Sequence, residues 1–484
     1  MNRQIKRVST LVLFMFLALL VSTSIIQVFQ ADTLRADARN IRAANQRYQT
    51  QRGTILAGNQ AIAQSVPSKD EYVWQRQYPN GPLYAPVTGF FPINGEATGL
   101  EGALNDKLSG TSNTQFFSRV NSILTGKNPQ GASVQTTINP AVQQAAWDAL
   151  GSYQGAVVAL DPKTGRILAM VSKPSYDPNV LASHDTAAVD TAYEQLLAAA
   201  GDPLINRTIS GNLNPPGSTF KLVMTSAALS GGSFTPDSQF SNLLSLQLPG
   251  STTVVKNDSL STCGSGSSVS LATALLLSCN IPFAELGMQM SAEAIHDQAN
   301  KFGFNRSFTI PIPVEKSLYP LYTDPAQRAM GSFGQMNDRA TPLQMAMVTA
   351  AIANNGTLMS PTLVDSIRSA TLENLESFHA TVFSRPISES VAQQIQTMMV
   401  NNVTSGVASN ARIEGVQVGG KTGTAQNGPG EPYTLWFTGF APVNDPKVVV
   451  AVMIENGGGL GQSGTGNTLA APIAKKVLEA VLNQ

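Results

Sequence analysis

Residues 215–229 read PPGSTFKLVMTSAAL. Two prolines and a glycine end any preceding helix, and the apolar run from Lys221 starts a new one. Ser218 is therefore expected at a helix N-terminus, where unpaired N–H groups and the helix dipole favour developing negative charge. Lys221 lies three residues on, on the same face, so its amine can reach Ser218 Oγ. A serine needs a base to become a nucleophile, and a lysine of depressed pKa can serve. Alone, S-x-x-K is common enough to mean only a serine N-cap followed by a surface lysine.

Two further segments change that reading. Ser278-Cys279-Asn280 lies between the apolar runs ATALLLS and IPFAELGMQM, on a tight inter-helix turn that can point a serine and an asparagine into a cleft. Lys421-Thr422-Gly423-Thr424 follows Gly419-Gly420 in an expected strand, whose small residues let a substrate backbone lie against its edge. Each has a decoy. Ser210-Gly211-Asn212 is too close to Ser218 to approach from another wall. Lys163-Thr164-Gly165 sits at a hairpin tip after Asp161-Pro162, where turn formation accounts for it.

Outward from these segments, Pro140–Leu150 reads as a helix and residues 155–172 as a hairpin around the turn Asp161–Gly165. The centre, about 180 to 410, reads as mainly helical. Strands follow over 416–425, 433–443 and 447–456, and Leu469–Leu482 is a closing amphipathic helix. The expected fold is α/β (α+β): one five-stranded antiparallel sheet with an inserted helical subdomain. Before it, Ala31 to about Thr50 reads as a stalk helix, and a Gly/Pro-rich stretch ending near Gln135 as a small, mostly β module.

Val8–Phe29 is an uncharged run of about 22 residues, roughly 33 Å as a helix, enough to span a bilayer; a cleaved signal peptide is the alternative, disfavoured by the length of the run and the lack of a good A-x-A site after it. Arg3, Lys6 and Arg7 precede it, which places the N-terminus in the cytoplasm and the rest outside. The expected segments are a cytoplasmic tail (1–7), a transmembrane anchor (8–29), a pedestal or dimerisation-type module (30–139) and a catalytic domain (140–484). The chain has 484 residues, 42% hydrophobic, with 31 basic and 31 acidic side chains. That balance argues against nucleic acid as partner. His184, His296 and His379 are scattered and Ser218 is in no G-x-S-x-G elbow, so a Ser-His-Asp hydrolase is not expected. No H-E-x-x-H motif or cysteine-rich site calls for a metal.

The ordered set S-x-x-K, S-x-N and K-T-G resembles that of the penicillin-binding proteins. Arg52-Gly53-Thr54-Ile55, Gly99-Leu100-Glu101-Gly102 and the stretches 160–179 and 340–357 extend the resemblance over nearly the whole chain after the anchor. With no room for a glycosyltransferase, it is similar to the class B type. Its length, its lack of a C-terminal extension and its Ser-Cys-Asn variant are most similar to the actinobacterial A branch. The resemblance implies a serine β-lactamase-like transpeptidase domain and a peptidoglycan D,D-transpeptidase, inhibited by β-lactams, without cofactor. It implies Ser218 as nucleophile, Lys221 as base, Ser278 as proton relay and Asn280 as the group that binds the substrate amide and orients Lys221. Lys421, Thr422, Gly423 and Thr424 would form the wall that holds the terminal carboxylate. The implied partners are a stem peptide ending in D-Ala-D-Ala, the membrane and a polytopic glycan polymerase. Cys279, at the variable position of S-x-N, is expected to pair with Cys263; two free buried thiols are the alternative. A D,D-carboxypeptidase or β-lactamase-type hydrolase, and a cell-wall assembly scaffold, remain open as rival functions.

Overall fold

The computed structural model describes residues 2–30, 34, 48–93, 95–112, 115 and 130–484. Most of the stalk expected over Ala31–Thr50 lies outside them. The chain opens with α1 (Asn2–Ser24), which continues through a π-helical turn, Ile25–Phe29. Arg3–Phe29 is long and apolar enough to cross a membrane, and the most apolar part of it is left unburied by the described residues.

Strands β1 (Ile55–Ala57), β2 (Gln60–Pro67), β3 (Trp74–Gln77) and β4 (Ser133–Thr136) form the N-terminal module, with short helices at Gly81–Thr88, Gly99–Ala103 and Asn105–Leu108 between them. The motifs Arg-Gly-Thr-Ile and Gly-Leu-Glu-Gly meet here. Glu101 is fully buried between Arg52 Nε at 2.5 Å and Arg76 Nε at 2.6 Å, with Tyr78 Oη at 3.3 Å. Burial pushes its pKa up, but the two guanidiniums outweigh that and hold it below the usual carboxylate range. Gly53 is required because a Cβ there would lie 1.8 Å from the Ala132 carbonyl oxygen.

The C-terminal part begins with α2 (Pro140–Leu150), whose cap Asn139 accepts from the Ala141 and Val142 N–H groups. Next come β5 (Gly155–Leu160) and β6 (Ile167–Lys173), followed by the helical subdomain. Its helices include α3 (Lys221–Ser230), α4 (Leu271–Leu276), α5 (Ile281–Gln289) and α6 (Pro342–Ala353). Strands β7 (Val364–Arg368) and β8 (Asn374–Ser377) break the region read as helical and return to the N-terminal module. There they extend a six-stranded sheet in the order β8-β7-β4-β1-β2-β3. This sheet therefore joins strands of the N-terminal module to two strands from within the region read as helical, and only β1–β4 is parallel. Helix α7 (Glu389–Thr404) leads to β9 (Gly419–Ala425), β10 (Thr434–Ala441), β11 (Val448–Ile454) and the closing α8 (Ala471–Leu482).

The second sheet has the expected five antiparallel strands, in the order β9-β10-β11-β5-β6. Every residue of β5, β10 and β11 is buried, because both faces are covered. Val157, Ala159, Val450 and Val452 pack with Val142 of α2 and Val477 of α8. The alternate residues Ala156, Val158, Val449 and Ala451 belong to the core that contains α6. This is why the strands read as continuous apolar runs rather than alternating ones. It also leaves β9 as an edge strand, facing the helical subdomain.

Candidate active site

Ser218 lies in a 3-10 turn, Gly217–Phe220, that runs directly into α3 at Lys221. The preceding residues hold this turn. Gly217 takes φ +53°, a conformation that favours glycine, and its N–H donates to the Gly334 carbonyl at 3.0 Å. Trp436 Nε1 on β10 donates to the Pro215 carbonyl at 2.9 Å, which ties the turn to the sheet. On the other side β9 comes close: a Cβ on Gly423 would sit 3.1 Å from both Pro216 O and Thr219 Cγ2. The small residue in Lys-Thr-Gly-Thr thus lets the strand and the Ser218 turn approach.

Lys221 is fully buried, with Phe283 and Phe333 rings 5.4 and 6.0 Å from its amine. Nζ donates to the Ser278 carbonyl and to Asn280 Oδ1, each at 2.8 Å. Burial pulls its pKa down to about 7, partly offset by Asp258. A neutral amine has two N–H donors and one lone pair. Both donors are used, so the lone pair remains to accept a proton. Ser218 and Lys221 form no direct hydrogen bond in this structure; their shared helical turn places them together.

Ser278 adopts φ +57° on the turn between α4 and α5, which directs its carbonyl at Lys221 while its hydroxyl meets a second lysine. Lys421 Nζ, also fully buried, donates to Ser278 Oγ at 2.6 Å and to the Thr422 carbonyl at 2.9 Å. Burial and then the neighbouring Lys221 push the Lys421 pKa well below its ordinary value, with Asp258 opposing. Thr422 is buried and Thr424 half-buried on the same strand; Thr424 Oγ1 accepts from the Gly466 N–H at 3.4 Å.

Cys263 and Cys279 are joined by a disulfide across 16 positions, with Cα atoms 5.8 Å apart. The bond pins the segment 256–263 against the Ser278–Asn280 turn. Sequence reasoning passed over that segment. Asn257 Oδ1 accepts from the backbone N–H groups of Asn280 and Ile281, at 2.9 and 3.2 Å. Asn280 Nδ2 donates to the Lys256 carbonyl at 3.0 Å and to Asp258 Oδ1 at 2.9 Å. The signal available was a polar Lys-Asn-Asp triplet following two valines and standing five residues before a cysteine.

Neither decoy enters the site. Asp161 Oδ1 and Oδ2 accept from Lys163 N and Thr164 Oγ1 at 2.8 and 2.6 Å, so Lys163-Thr164-Gly165 is a hydrogen-bonded hairpin turn. Ser210 Oγ donates to the Asn206 carbonyl at 2.9 Å. His184 pairs with Asp70 at 2.6 Å and His296 lies near Asn300 at 3.1 Å, neither with a contact to Ser218.

Known proteins resemble this chain along its whole length. The family model described as penicillin binding protein transpeptidase domain matches residues 155–479, and that described as penicillin binding protein A dimerisation domain matches residues 52–134. The chain is 42% identical to a peptidoglycan D,D-transpeptidase of Mycolicibacterium smegmatis, over the whole of both chains. It is 41% identical to one from Mycobacterium tuberculosis, over 100% of this chain and 99% of the relative. Penicillin-binding protein A from M. tuberculosis, solved as a ceftriaxone acyl-enzyme, superposes with a TM-score of 0.87 at 41% identity, covering 90% of this chain and 100% of that one. The penicillin G acyl-enzyme of that protein gives 0.85.

Proposed function

We propose a residue-level mechanism for this chain, which belongs to the penicillin-binding protein transpeptidase family and is a peptidoglycan D,D-transpeptidase. The observation that carries the mechanism is the single hydrogen-bonded set Lys221–Ser278–Asn280–Lys421 around the turn that holds Ser218. Ser218 Oγ attacks the penultimate D-Ala carbonyl of a stem peptide, and the Lys221 lone pair takes the hydroxyl proton. A C–O bond forms and the C–N bond to the terminal D-Ala breaks. Ser278 Oγ–H gives its proton to the leaving amine and takes one from Lys421 Nζ, which donates to it. A stem-peptide amine then attacks the acyl-enzyme: its proton returns through Ser278 to Lys421, Lys221 gives its proton back to Ser218, and the C–O bond breaks to leave a cross-link.

The Ser218 N–H lies in the first turn of its helix and has no intrahelical partner. With the Thr424 N–H it is assigned to the oxyanion hole, where each donor is worth roughly 3–4 kcal/mol in related acyl transfers. Lys421, Thr422 and Thr424 line the wall that takes the substrate carboxylate, with Gly423 keeping that wall close. β-Lactams acylate the same serine.

The domain assignment is a cytoplasmic tail (1–7), an anchor (8–29), a pedestal or dimerisation module (30–139) and the transpeptidase domain (140–484). The Arg3–Phe29 helix supports a single-pass anchor. The basic residues before it support an extracytoplasmic catalytic domain. The partner implied by the family is a polytopic membrane glycan polymerase. Incubation with a D-Ala-D-Ala donor and a labelled D-amino acid tests the reaction: exchange of label into the donor is expected, and release of D-Ala without exchange would make the enzyme a hydrolase.

A further inference from the structure

An asparagine side chain has two N–H donors and one carbonyl oxygen. Asn280 has all of them engaged inside the protein. Its Oδ1 accepts from Lys221, and its two N–H groups are met by the Lys256 carbonyl and Asp258 Oδ1. Its backbone N–H is taken by Asn257. Yet Asn280 is also the residue read above as the donor to a substrate amide carbonyl. In this structure it has no N–H left for one.

We propose that Asp258 is a positioning residue that competes with the ligand for Asn280: its carboxylate holds the amide N–H that an acylamino carbonyl takes, and ligand binding displaces it. This rests on the reading that Ser218 is acylated and that Asn280 receives the ligand amide.

The asymmetry between the two holders of Nδ2 shows which one gives way. The Lys256 carbonyl is backbone, fixed between the short strand Val254–Val255 and the buried Asn257. Asn257 is itself held by bonds to Asn280, Ile281 and Ser261. Asp258 instead stands at an exposed position. A swing about its side-chain torsions releases the bond, and water solvates the freed carboxylate. Cys263–Cys279 and Asn257 keep the backbone in place meanwhile, so the exchange needs no loop opening. With no ligand, Asp258 fixes the amide so that Oδ1 faces Lys221, which maintains the base. With a ligand, the acylamino carbonyl replaces it and keeps the same orientation.

The test uses two penicillins with one nucleus, benzylpenicillin and 6-aminopenicillanic acid, which differ in the acyl group that carries the amide carbonyl. The quantity read is the ratio of their second-order acylation rates on the full chain. Loss of the Asp258 charge alters both lysines, but it acts on both penicillins alike and cancels in the ratio. Asp258→Ala is expected to raise the ratio about tenfold, the worth of one charge-assisted competitor removed. Asp258→Asn keeps an acceptor beside Asn280 without the charge and is expected to fall between wild type and Asp258→Ala. A ratio unchanged or lowered in Asp258→Ala overturns the proposal. Wild-type protein that neither penicillin acylates would instead overturn the reading of the site itself. The position is exposed, so both variants are expected to melt with wild type.

Discussion

Lys421 Nζ donates to Ser278 Oγ at 2.6 Å, while the carbonyl of the same serine accepts from Lys221. One residue thus links the lysine read as base to the lysine on β9. Both amines are buried, and burial holds the pKa of each below its ordinary value. Removing the link is expected to cost proton transfer as well as carboxylate binding. Lys421→Met should slow acylation by about 10²-fold or more, within the usual range for general acid–base catalysis. Stopped-flow acylation by a chromogenic cephalosporin measures it; a rate within twofold of wild type would exclude Lys421 from the relay.

The acylation rate should rise with pH through about 7, as Lys221 loses its proton and its lone pair becomes available. The same depressed pKa works on stability. Between about 7 and the ordinary 10.5 the unfolded chain binds a proton that the folded chain does not, so stability should rise with pH across that window on account of this group. Lys221→Met should abolish acylation and flatten that part of the stability profile. Denaturant unfolding at several pH values checks the second point; an unaltered slope would place the lysine's pKa elsewhere.

Glu101 is the sole acidic partner in the Arg52–Glu101–Arg76 ion pairs. Glu101→Ala leaves two buried guanidiniums facing one another and should destabilise the N-terminal module by about 3–5 kcal/mol. Thermal unfolding would show this, and folded protein should still acylate because the ion pairs do not touch the cleft. A variant that melts with wild type would contradict the assignment.

Cleaving the disulfide should loosen the segment that holds Asn280. The Cys263→Ser/Cys279→Ser variant should lose about 3 kcal/mol for a closed loop of this length and acylate more slowly. Unchanged melting and acylation together would show that Asn257 alone secures the segment.

The five-stranded sheet was legible because β5, β10 and β11 are buried on both faces and so stand out as uninterrupted apolar runs. Ser218, Ser278, Asn280 and Lys421 were legible through their spacing and context. What the sequence did not disclose depends on distant pairing. Val364–Arg368 and Asn374–Ser377 are short, partly exposed strands, and only docking beside Ser133–Thr136 makes them part of the N-terminal sheet. Asn257 and Asp258 look like ordinary loop residues. Their importance arises from the disulfide, from the two backbone N–H groups that Asn257 accepts from more than twenty positions away, and from the Asn280 Nδ2 group that donates to Asp258. The absence of a direct Ser218–Lys221 bond was equally hidden, since helical spacing gives proximity and not the competing partners of the amine.

The most direct measurement of the central claim is intact-protein mass spectrometry after exposure to benzylpenicillin. Wild-type protein should gain the mass of one penicillin, on the peptide containing Ser218, and folded Ser218→Ala should gain none. A covalent adduct on Ser218→Ala, or on another residue of the wild type, would contradict the assignment of Ser218 as the nucleophile.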